Sequence, residues 1–127
     1  MRTTLTIAQM LVRITGVLQL ILGLLLWGGG APGLRPVHML LGVVFVLSLW
    51  LLAAVASQAG VPIGMAAGVA LMGLIVLILG LTQDSLMPGG SHWVIQVLHL
   101  LVGLVAIASG EIVGGRLRRQ RLSTSTV

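Results

Sequence analysis

Histidine is the only side chain here suited to metal ligation or proton transfer near neutral pH, and the chain of 127 residues has just three, with no cysteine and two acids. His38 and His99 share a pattern: each is followed four residues later by a glycine, Gly42 and Gly103, and then by a serine, Ser48 and Ser109. On a helix, residues four apart lie on one face a turn along, so a glycine there leaves room beside the imidazole for a flat group. Two opposed imidazoles are what a b-type haem needs for axial ligation on both faces. Gly23 and Gly80, on two other apolar segments, should lie at a similar depth and widen the gap. A single histidine near a helix end usually only marks an interface, and paired glycines usually mean close helix packing. The duplication of the His-Gly pair is what favours ligation.

His92 is the rival ligand. It precedes His99 by seven residues, nearly the same helical face two turns away, and would partner His38 if its helix sat deeper. Met39, Met72 and Met87 are further iron ligands by type, without positional support. Arg35, three residues before His38, is suited to a haem propionate through its guanidinium; read blandly, it ends a loop. Arg13 and Glu111 are expected to pair structurally within the membrane, or Arg13 to reach the interface alone. A zinc site from His92, His99 and Asp84 is an outside alternative. The absence of cysteine excludes disulfides, thiolate zinc, iron–sulfur clusters and covalent haem attachment through Cys-x-x-Cys-His.

The elements that must hold these residues are apolar runs of about 20 residues, the length that spans a bilayer as a helix. Four are expected, at 5–27, 37–56, 63–81 and 93–113. The first exceeds a signal-peptide core and ends in Leu-Leu-Leu-Trp, so it reads as a retained helix. All seven basic residues are arginines, and six (Arg2, Arg13, Arg116, Arg118, Arg119, Arg121) lie toward the chain ends. With four crossings this puts both termini in the cytoplasm of a bacterial-type inner membrane. The basic tail over 115–127 is an orientation anchor touching anionic lipid, so the net charge of +5 does not point to nucleic acid.

The chain also repeats itself. Gly16 and Gly23 match Gly73 and Gly80, and His38, Gly42 and Ser48 match His99, Gly103 and Ser109. The expected fold is therefore all-α: an integral membrane four-helix bundle of two pseudo-symmetric helical hairpins, with an axis along the membrane normal. Gly64 and Gly68 form a Gly-x-x-x-Gly pair expected to pack the third helix on the fourth.

The His-x-x-x-Gly pattern on two helices resembles the b-type cytochromes, including diheme cytochrome b proteins and the cytochrome b subunits of respiratory dehydrogenases; the tandem hairpin plan is similar to one half of a haem A synthase. The match rests on His38, Gly42, His99 and Gly103, and no histidine lies in the inner half for a second haem. The resulting expectation is one haem b near the outer face, exchanging single electrons with a quinone or an outer-face redox partner, an electron-transfer protein rather than a catalyst. Haem storage or trafficking, and a cofactor-free small transporter or helical scaffold, are the alternatives; self-association is left open.

Overall fold

A computed structural model describes residues 2–27, 29 and 31–124, with the side chains of Arg2 and 121–124 excepted. The last three residues of the basic tail, 125–127, lie outside the described residues. Four long helices, α1 (Arg2–Trp27), α2 (Arg35–Gln58), α3 (Ile63–Thr82) and α4 (His92–Thr124), make up the fold, with short 3-10 turns at Pro32–Leu34 and Gln83–Ser85. No strand occurs among the described residues. All four helices are long and apolar enough to cross a membrane. Their surface carries the large apolar side chains that lipid accepts and water does not, such as Ile63, Leu40 and Leu24.

Local chemistry sets the helix ends. Gly60 takes φ +77°, a conformation open to glycine without a Cβ penalty. It turns the chain so that Val61 N–H donates to the Ala56 carbonyl at 3.1 Å, closing α2 with the bond pattern of a Schellman cap. Pro62 then stands at the N-cap of α3. Pro36 lies in the first turn of α2, where its missing N–H breaks no helical bond. At its other end α4 continues through Arg116, Arg118 and Arg119, so most of the basic tail is helix.

The helices pack in cyclic order: α1 on α2, α2 on α3, α3 on α4 and α4 on α1. Across the diagonals α2 approaches α4, whereas among the described residues the backbones of α1 and α3 do not come together. Both chain ends lie at one end of the bundle, here the terminal end. Leu5, Val12, Leu49, Leu52, Val69, Val113 and Leu117 are all but inaccessible and belong to a single core in this half. The opposite, cavity end is different: over 17–44 and 77–105, Ile95 is the only buried side chain among the described residues.

The Gly64–Gly68 pair does not join α3 to α4. A methyl group on either glycine would meet nothing within 4 Å: Gly64 is exposed, and Gly68 borders an unfilled groove with Ser109, Ile112 and Val113 of α4. In lipid an apolar face gains little by turning inward, and the glycine spacing alone does not choose the side.

Candidate functional site

The loosely packed half encloses a cavity of about 500 Å³. Its walls include His38, His99, Gly23, Gly42, Gly80, Gly103, Arg35, His92 and Met39, whereas Met72, Met87, Ser48 and Ser109 do not line it. His38 and His99 face each other across the α2–α4 diagonal with ring centroids 6.4 Å apart and planes at 65°. An imidazole nitrogen sits about 2.0 Å from a metal it ligates, so two rings on opposite sides of one ion have centroids about 6.3 Å apart; a tetrahedral angle would bring them to about 5 Å. The observed spacing is compatible with the opposed arrangement and is also that of the edge-to-face contact the two rings make. Nδ1 of both rings is buried without a hydrogen-bond partner, and a buried polar atom in that state is destabilising unless a ligand or water satisfies it.

Glycines hold the rings in place. A methyl group at Gly23 would lie 3.6 Å from His38 Cε1, and one at Gly80 would lie 3.2 Å from His99 Cε1. Each imidazole thus rests its edge on the glycine of its own hairpin's other helix. The two remaining glycines differ: the space beside Gly103 is open, whereas Gln19 Nε2 lies 2.7 Å from where a Gly42 methyl would be. At Gly42 the expected gap is therefore filled by the Gln19 amide, whose Oε1 is buried without a partner. Gln19 was not among the residues marked by sequence. The available signal, a polar residue within the first apolar run, is shared by Thr6, Gln9, Arg13 and Thr15.

Two seams run between the hairpins, α1 against α4 and α2 against α3. Gly16 packs against Ile107 on the first, and Gly73 packs against Val46 on the second. Helical spacing then puts Leu20, Leu24 and Trp27 on the α1 stripe opposite Leu100 and Gln96 of α4, and Leu77, Leu81 and Asp84 opposite Met39 and Arg35 of α2. All ten line the cavity. Leu24 and Leu81, although cavity walls, are each 60% exposed. The cavity is accordingly a slot between the hairpins that reaches the surface along both seams.

Polar links tie the seams at two levels. In the terminal half, Arg13 Nε and Nη2 donate to Glu111 Oε1 and Oε2 at 2.7 and 2.6 Å across α1–α4, a bidentate pair. On the other seam Trp50 Nε1–H donates to the Ala70 carbonyl at 3.0 Å. At the cavity mouth Arg35 forms an ion pair with Asp84. Asp84 is thereby held away from His92 and His99, and no cluster of three histidine, aspartate or glutamate side chains able to hold a metal occurs among the described residues. The zinc alternative is not assembled. His92, half-buried at the mouth, donates from Nδ1 to the Leu86 carbonyl at 3.3 Å.

Comparison with protein families, curated proteins and solved structures finds no match for this chain.

Proposed function

We propose that this protein is a membrane b-type cytochrome that holds one haem between His38 and His99 and exchanges single electrons. The observation that carries the reading is the opposed imidazole pair, 6.4 Å between centroids with both Nδ1 atoms buried and unpaired, spanning a slot between glycine-bearing helices. A planar, largely apolar ring with an iron at its centre fits that donor set, and no third ligand is needed. When bound, haem supplies a one-electron couple. The protein's own part is that His38 and His99 would hold the iron, leaving no open site for oxygen, and that Leu20, Leu77, Leu100 and Phe45 would surround the ring. Gln19 contributes an amide beside Gly42. Arg35, paired with Asp84 at the mouth, is the cation lining the slot that would face a propionate.

The reading includes a duplicated hairpin. Three contacts support it because each recurs between equivalent residues: Gly23–His38 with Gly80–His99, Gly16–Ile107 with Gly73–Val46, and Arg13–Glu111 with Ala70–Trp50. The third is informative because the chemistry has diverged while the location persists. The bundle lies in a bilayer with the arginine-rich terminal end in the cytoplasm and the haem near the outer face, where a quinol or an outer redox partner exchanges electrons with it. The chain has no cysteine, so labelling of a single cysteine at Ser85 from outside intact cells checks the orientation; protection from an impermeant reagent would reverse it.

The experiment is purification from haem-replete cells in mild detergent. A six-coordinate low-spin absorption spectrum with one haem per chain is expected, and protein that takes up no haem even when reconstituted would overturn the proposal. A haem carrier is the second reading, favoured by the slot's exposure along two seams. Release to apomyoglobin within minutes, rather than retention for hours, would select it.

A further inference from the structure

The two seams differ in how their cavity halves are held. Arg35 and Asp84 tie the α2–α3 seam at the mouth, and the turn at 59–62 joins the same two helices at the other end. No chain connection joins α1 to α4 at either end. The equivalents of Arg35 and Asp84 on that seam are Gln96 and Trp27, and neither makes a polar link across it: among the described residues no hydrogen bond or ion pair crosses the cavity half of the α1–α4 seam. Its terminal half is the opposite case. There Arg13 grips Glu111 in two hydrogen bonds, and Gly110 sits against Val12 and Leu49, where an added methyl would come within 3.2 Å and 3.0 Å.

We infer that the cavity half of the α1–α4 seam is a lateral door through which the planar ligand enters from the membrane, with the α2–α3 seam as the fixed side. This rests on the haem reading. A door needs a low local opening free energy beside a firmly held neighbour, and this seam has both: Leu20, Leu24 and Leu100 lining the slot with no polar link above, a bidentate pair and a packed glycine below. Arg13–Glu111 confines separation to the upper half. Entry from the lipid phase suits a mostly apolar ring, whose carboxylates stay at the polar mouth beside Arg35.

The natural absence of cysteine permits a direct test in the full chain. Two double variants, Leu24→Cys with Leu100→Cys across the door and Leu81→Cys with Met39→Cys at the equivalent place on the fixed seam, are joined with a short bis-maleimide in lipid nanodiscs before haem is added. Each is compared with its own unlinked form, so effects of the substitutions cancel. Linking Leu24→Cys to Leu100→Cys is expected to slow haem uptake by at least about tenfold, and linking Leu81→Cys to Met39→Cys by less than about twofold. The link placed after loading should slow release in the same order. Equal slowing by both links, or a larger effect at the fixed seam, overturns the door while leaving the haem site intact. Unlinked proteins that take up no haem overturn the haem reading, and this inference with it.

Discussion

The two halves of this bundle are built from the same helices and nearly the same amino acids, yet one is packed and the other hollow. In the terminal half Val12, Leu49, Leu52 and Leu117 are shut off from the surroundings, and glycines such as Gly110 and Gly114 serve close approach, with side chains seated on them. In the cavity half equally apolar residues line a void, and Gly103 faces open space. Hydrophobicity does not separate them, because lipid is as apolar as leucine and drives no burial between helices. The difference teaches that in such a bundle poor packing is itself a signal. Helices held together below by interlocking side chains, and apart above around two unpaired imidazoles, have the form of a site.

The sharpest break between the halves is expected from truncating large side chains. Leu49→Ala or Leu52→Ala should destabilise the fold by about 2–5 kcal/mol, the range for a cavity opened in a packed interior, whereas Leu100→Ala at the slot should change apo-protein stability by less than about 1 kcal/mol. Unfolding of the detergent-solubilised apo-protein measures both, and equal losses would dissolve the distinction. Haem should act on the hollow half alone. At a hundredfold excess over its dissociation constant it should add about 2.7 kcal/mol of stability, seen as slowed hydrogen exchange over 17–27 and 92–105 with little change over 45–56.

Glycine substitutions sharpen the comparison further. Gly110→Ala brings a methyl 3.0 Å from Leu49 Cδ2 and should destabilise by about 1–3 kcal/mol. Gly103→Ala meets nothing and should stabilise the apo-protein by about 0.5–1 kcal/mol through helix propensity while weakening haem binding. Smallest is the difference between the imidazole rests. Gly80→Ala, at 3.2 Å from His99, should perturb the low-spin spectrum more than Gly23→Ala, at 3.6 Å from His38. Resonance Raman spectra of the reconstituted variants would show the order, and a reversal would mean that the rings do not bear on these glycines.

Much of this was legible in the sequence, and what was missed has a common cause. Helix number and the approximate spans follow from the length of the apolar runs, since a bilayer admits little else. The spacing of histidine and glycine pointed to His38, His99 and four glycines, and these line one cavity in the structure. Side-chain partnerships were not. Asp84 reads as an outside candidate for zinc until the structure brings it to Arg35, and Gln19 reads as one polar residue among several in its span until its amide is seen beside Gly42. Gly64 and Gly68 carry a packing spacing but have no side chain seated on them. Each depends on helix rotation, and in a segment that is apolar on every side the sequence pattern leaves rotation undetermined. The α4 extension to Thr124 was missed because arginines are as compatible with a helix as with a polar tail.

The central claim is that His38 and His99, and not His92, fill the two axial positions. Electron paramagnetic resonance of the oxidised, haem-reconstituted protein and its three single alanine variants tests it most directly. The account predicts a low-spin signal in the parent, its replacement by a high-spin signal or loss of haem in His38→Ala and in His99→Ala, and a parent-like spectrum in His92→Ala. A low-spin signal that survives His99→Ala and disappears in His92→Ala would contradict the assignment, and with it the equivalence of the two hairpins.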